Sequence, residues 1–229
     1  MHRIMNPVAI LAGASLLMLS ASSCRAASAA VTIPDPVVDA PLAPVPGQRV
    51  AVFAGGCFWG IQAVFEHVNG VIRATSGYSG GSAANPDYEL VSSGITGYAE
   101  SVKIVFDPSK ITYGQLLKVF FAVAHDPTEL DRQGPDVGTQ YRSAVFTTNA
   151  DQQRIASAYI AQLDKAGVFP RPIVTQVVPF QTFHDAEDYH QDYAAKHPDN
   201  AYIVINDAPK VANLKRELPG LYSATPARP

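Results

Sequence analysis

Cysteine is scarce in this chain: 229 residues carry two, Cys24 and Cys57. Two thiols in a chain of this length make no disulfide framework. Basic runs are missing as well, and the net charge is -3. That weakly acidic balance argues against nucleic acid as the main partner. The six histidines offer no zinc spacing. His67 and His125 stand alone, and His184, His190 and His197 lack short ligand intervals, so no metal is expected. A phosphate-cradling GxxxxGK[ST] motif is absent, and so is any internal repeat. The apolar run at residues 8–19 is too short to span a bilayer well. What remains is ordinary. With 16% charged and 47% hydrophobic residues, the chain can build one well-cored domain.

The two ends read differently from the middle. Met1-His2-Arg3 carries positive charge, the apolar run follows, and small residues fill positions 21–30. Ala27-Ser28-Ala29 suits a signal peptidase cutting before Ala30, so residues 1–29 read as a signal peptide and the folded part as exported and periplasmic. Ser22-Ser23-Cys24 suggests a lipid anchor at Cys24 instead. That reading ranks second, because Ala21 stands where Leu is usual. Residues 30–48 hold Pro34, Pro36, Pro41, Pro44 and Pro46 and read as an extended linker with no core of its own. The catalytic domain is expected at 49–206. The tail, 207–229, holds Pro209, Pro219, Pro226 and Pro229 and reads as loose.

Between those ends the pattern alternates strands and helices. Residues 49–54 form a short apolar strand. Ile61, Val64, Phe65 and Val68 then recur at helical spacing, stopped by Asn69-Gly70. Residues 71–76 read as a strand, 77–86 as a Gly-rich loop, 87–92 as a helical turn. Residues 98–106 alternate as a strand. Thr112 and Gln115 make a capping box for a helix to about 124. A polar loop spans 125–138, and strand 141–146 follows. Asn149 caps a helix over 150–166, closed by Gly167. A strand at 173–178 and a last helix at 182–196 complete the series. This order predicts an α+β two-layer sandwich with a ferredoxin-like β-α-β-β-α-β core.

Three features stand out as chemistry. Cys57 falls where a strand becomes the first turn of a helix. Gly55 and Gly56 allow a tight turn and close approach of a ligand. Free N–H groups and the dipole at the helix start favour a thiolate. A buried structural Cys is the alternative; the glycine pair before it and the aromatics after it point to a reactive thiol. Glu100 shares a strand face with Val102, Ile104 and Phe106. Burial there would raise its pKa and make it a general acid. Reaching water near the strand end is an equal reading from the pattern alone. The loop 133–143 gathers Asp136, Gln140, Tyr141 and Arg142, as a functional loop or a solvated connector. Tyr78 and Tyr88 flank the Gly-rich loop.

Gly56-Cys57-Phe58-Trp59-Gly60 resembles the GCFWG signature of the type A peptide methionine sulfoxide reductases. Gly77-Tyr78-Ser79-Gly80-Gly81, Asn85-Pro86-Asp87-Tyr88 and Thr96-Gly97-Tyr98-Ala99-Glu100 resemble successive blocks of that family. Residues 136–143 and 186–191 continue the match in the same order, over about 49–206. Tyr98 departs from the family, where many members have His. The tail departs further, since residues 199–229 lack the resolving cysteines many members carry. The resemblance implies that Cys57 attacks the sulfoxide sulfur and that Glu100 protonates its oxygen. By the same resemblance Tyr88 and Tyr141 bond that oxygen, Asp136 orients the polar network, and Phe58 and Trp59 hold the methyl group. It also implies the S epimer in oxidised proteins or peptides as substrate, and a Cys57 sulfenic acid as product. No cofactor is implied beyond an external thiol reductant, thioredoxin-like or small-molecule. Two other classes stay open. One is a papain-like thiol protease using His184 with Asn200 or Asn206; the other is an exported binding lipoprotein with an inert Cys57.

Overall fold

The computed structural model describes residue 2 and residues 33–227, apart from 83 and 85. The expected signal peptide at 1–29, apart from residue 2, and with it the expected cleavage site and Cys24, lie outside the described residues. The chain forms β1 (Arg49–Gly55), α1 (Phe58–Glu66), β2 (Val71–Ser79), α2 (Tyr88–Ser92), β3 (Ala99–Phe106) and α3 (Tyr113–Val119). Then come β4 (Arg132–Gln133), β5 (Asp136–Val137), β6 (Ser143–Thr147), α4 (Ala150–Lys165), β7 (Gln176–Pro179), β8 (Phe183–Asp185), α5 (Tyr193–Lys196) and α6 (Ala208–Glu217).

Six strands make one sheet in the order β7-β6-β1-β3-β2-β8. Its pairs are antiparallel except β6 with β7. The α+β class holds. Strand β1 shows why the sheet sits centrally. Ala51 and Phe53 face the main core with residues of α1 and α3, while Val52 and Ala54 face a smaller cluster with Ala99, Ala144 and Phe146. The period of two in a short apolar strand therefore buries both faces. The main core stacks Phe53 on Phe120 at 4.9 Å and tilts it against Phe65 at 5.7 Å. The expected caps form. Thr112 and Gln115 close a full capping box, and the Asn149 side chain accepts from Gln152 N. The helix at 113–124 widens into a π turn over Phe120–Ala124.

Three expectations need correction. The helix expected over 182–196 shrinks to α5 at Tyr193–Lys196. Residues 183–185 pair instead with β2, a 3-10 turn follows at Asp188–His190, and Asp192 turns left-handed at φ 55. The open edge of β2 decides this, because its unpaired backbone groups need partners. Gln191 continues that edge with its amide, accepting from Ser76 N and donating to Ser76 O, both at 3.0 Å. The tail is not loose. A π turn at Ile203–Asp207 leads into α6, where Leu214 is fully buried. Pro209 lies in the first turn of α6, where a missing N–H costs nothing. The linker is extended but docked. Ile33 enters the core, Tyr159 Oη donates to Pro34 O at 2.7 Å, and Asp39 accepts from Gly114 N at 2.9 Å.

Candidate active site

Gly56 sets the position of Cys57. Its φ is +95, and any side chain there would meet Gln133 Cβ at 2.6 Å. Gly55 backs onto the His125 ring in the same way, at 2.9 Å. Only glycines let the chain turn between those two side chains and deliver Cys57 to the first turn of α1. His125 is itself fixed. Its Nδ1 lies 3.0 Å from Phe120 O, and its Nε2 lies 2.7 Å from Ser143 Oγ.

Glu100 arrives from β3 and is 2% exposed. Its Oε2 accepts from Phe58 N at 3.0 Å. Burial pushes its pKa up to about 8, against that hydrogen bond and helped by the charges of Asp136 and Asp207. The carboxyl therefore holds its proton at neutral pH. Of the two readings left even by the strand pattern, the buried acid is the one observed.

Cys57 corrects an expectation. The helix N-terminus was expected to favour the thiolate. Burial raises its pKa well above the ordinary thiol value, and the charges of Glu100 and Asp207 add to this. The backbone hydrogen bond from Trp59 and the charge of Lys210 oppose that rise without cancelling it. Desolvation outweighs one or two favourable N–H dipoles here. The resting thiol is protonated.

A pocket of about 200 Å³ opens at this point, lined by Cys57, Phe58, Trp59, Tyr88, Glu100, Asp136, Tyr141 and Tyr202. Every site residue expected from sequence is on its wall. Phe58 is fully buried. Trp59 donates Nε1–H to His190 Nδ1 at 3.1 Å and stacks on Tyr193 at 3.9 Å. Tyr88 and Tyr141 are half-buried, and burial raises both phenols, so they remain donors. Asp136 is brought in by the β4–β5 hairpin, and the hydroxyl of Tyr202 donates to it. Burial also raises Asp136.

Sequence reasoning missed Tyr202, His190 and Glu187. Glu187 ties two walls together, accepting from Tyr78 Oη at 2.8 Å and from Tyr88 N at 2.9 Å. Arg142 is not a site residue; it donates to the carbonyls of Thr139 and Gly97 and holds loops. The protease arrangement does not form. His184 lies against the Tyr98 hydroxyl at 3.3 Å, and Asn206 donates to Tyr202 O. Among the described residues no three or more His, Cys, Asp or Glu side chains converge as a metal site.

The family model described as "Peptide methionine sulfoxide reductase" matches residues 49–220. The chain belongs to that family. A peptide methionine sulfoxide reductase from Mesorhizobium japonicum is 59% identical over 181 residues, covering 79% of this chain and 93% of that one. A relative of the same name from Deinococcus radiodurans is 50% identical, covering 76% and 84%. Among solved structures, the methionine sulfoxide reductase A of Corynebacterium diphtheriae aligns with a TM-score of 0.58 and 34% identity, over 75% of this chain and 87% of that one. Reduced Mxr1 from Saccharomyces cerevisiae gives 0.59 and 32%, over 72% and 92%. The reductase acts on methionine sulfoxide. Its family match extends into α6, beyond the expected domain end at 206.

Proposed function

We propose that the reductase takes the S epimer of methionine sulfoxide, with Cys57 as nucleophile and Glu100 as acid. The observation that carries this is a buried carboxyl, protonated to about pH 8, in one pocket with a thiol. The sulfoxide oxygen lies beside the Glu100 proton and the hydroxyls of Tyr88 and Tyr141. The methyl group lies against Phe58 and Trp59. Glu100 protonates the oxygen as Cys57 Sγ attacks the sulfoxide sulfur, because that oxygen leaves poorly without a proton. In the same step the Glu100 carboxylate takes the thiol proton, so the sulfur attacks as a thiolate. The sulfoxide sulfur is reduced to a thioether, Cys57 is oxidised to a sulfenic acid, and the oxygen passes to Cys57. Glu100 ends protonated as it began. Asp136, held by Tyr202, orients the polar rim. An external dithiol, thioredoxin-like or small, then reduces the sulfenic acid, yielding water, a disulfide of the reductant and free Cys57.

Exposed apolar side chains lie beside pocket residues in sequence: Leu90, Val137, Val204 and Ile205. They suit a methionine sulfoxide carried in a peptide or protein. Residues 1–29 are read as a signal peptide and the protein as periplasmic, on the pattern at the N-terminus. The order β6-β1-β3-β2, with α1 and α3 in the connections, supports a ferredoxin-like β-α-β-β-α-β core. The test is incubation with each sulfoxide epimer plus dithiothreitol. Methionine should form from the S epimer only, and Cys57→Ser should form none. Equal use of both epimers would reject the proposal.

A further inference from the structure

Beneath the site lies an ion pair with no assigned purpose. Asp207 closes the π turn before α6 and is fully buried. Lys210 Nζ lies 3.2 Å from its Oδ1, and the lysine side chain is 11% exposed. Asp207 Oδ2 is buried without a hydrogen-bond partner. The pair is pressed on the first turn of α1. A side chain at Gly60, three residues after Cys57, would meet Asp207 Oδ1 at 2.0 Å and Lys210 Nζ at 2.9 Å. Gly60 is thus the gap that lets a buried cation approach the helix Cys57 caps.

Such a pair is expensive. Taking two charges out of water is costly for each ion, and apolar residues of the same shape often serve the fold as well. Its placement shows what it serves. Cys57 is faced by Glu100 from β3, by Tyr88, Tyr141 and Tyr202 on the pocket wall, and by Asp207 and Lys210 below. Asp136 shares the pocket. With Glu100 protonated at neutral pH, a negative charge forming on sulfur meets the repulsion of Asp207 and the attraction of one ammonium, Lys210.

On the reading that Cys57 is the nucleophile, we propose that Lys210, held by Asp207 against Gly60, is a positioning residue that supplies the counter-charge for the thiolate formed when Cys57 gives up its proton. The proton goes to Glu100, as above; Lys210 exchanges none. Its charge favours the thiolate, against burial and against the larger opposing effect of Asp207, which it offsets in part.

The test separates charge from packing. Alkylation of Cys57 by iodoacetamide is followed across pH by mass spectrometry, without sulfoxide. Methionine formation from the S-sulfoxide is followed in a single turnover. Lys210→Met should move the alkylation midpoint up by about one pH unit and slow methionine formation about tenfold, with KM for sulfoxide unchanged. Lys210→Arg should restore most of both. Lys210→Met strands Asp207 and could unfold, so Asp207→Asn/Lys210→Met is made beside it. With both charges gone, its midpoint should fall back toward wild type. A merely structural pair would leave the midpoint unmoved in every folded variant, or the double variant as impaired as the single. Either result overturns the proposal, even with normal wild-type turnover. Wild-type protein that forms no methionine rejects the nucleophile reading instead, and a moved midpoint then still supports the counter-charge.

Discussion

A buried acid has two consequences at the scale of one residue, and they oppose each other. Folded Glu100 keeps its proton to about pH 8, whereas an unfolded carboxyl releases it near 4.5. Stability is therefore fully present below 4.5 and is lost as pH rises from 4.5 toward 8. Glu100→Gln has no proton to lose, and its amide oxygen can still accept from Phe58 N. The variant should melt above wild type at pH 7.5, with the difference shrinking toward pH 4.5, as thermal denaturation at both pH values would show. The same variant should slow a single turnover by roughly a hundredfold or more, because general acid catalysis of this size is lost. Wild-type turnover should fall as pH rises through about 8. A variant neither more stable nor slower would place the proton elsewhere.

Cys57 and Glu100 were legible in the sequence for related reasons. The glycine pair and the strand face each report backbone geometry, and backbone geometry follows local pattern. The protonation state of Cys57 was not legible. It depends on burial that no local window shows, then on Glu100 and on Asp207, which is 150 residues away in the chain.

Among elements, the turn from β1 into α1 has the least tolerance. Gly56 takes a φ that side chains rarely adopt, and Gln133 fills the space where a side chain would go. Gly56→Ala should cost about 1–3 kcal/mol from backbone strain alone, more where Gln133 must move. Gln133 also binds Asp126, accepting from its N at 2.9 Å and donating to its O at 2.7 Å, so its displacement disturbs the whole β4–β5 hairpin that presents Asp136. Turnover should be lost even where thermal melts show a folded protein; normal turnover would mean that the turn does not set Cys57.

Helices with caps were readable: Thr112, Gln115 and Asn149 mark their ends with side chains that satisfy N–H groups nearby. Strand β8 was not, because a three-residue strand exists only by virtue of the β2 edge it covers. Helix α6 carried a signal that the prolines obscured. Val211 and Leu214 are three apart, and Pro209 falls where a helix begins rather than where one fails.

For the whole molecule, the domain is larger than its motifs. The matched blocks end at 191, but the pocket wall includes Tyr202, and α1 rests on Asp207 and Lys210. A chain ended after Asn206 removes Leu214 from the core, and loss of one such buried side chain costs about 2–5 kcal/mol on its own. Its melting temperature should fall well below that of the full chain, and it should form no methionine in a single turnover. A stable, active shortened chain would show that α6 is dispensable.

The late segment also grips α1 at its other end. Ser223 N donates to His67 O and Ala227 N to Glu66 O, each at 2.7 Å, while Asp207 and Lys210 lie under the first turn. Synthesis runs from the N-terminus, so Cys57 leaves the ribosome long before the residues that clasp its helix at both ends. The nucleophile is made early and armed late. A nascent or prematurely released chain carries the thiol without the finished pocket, and oxidant reaching it then meets an ordinary cysteine rather than a catalyst.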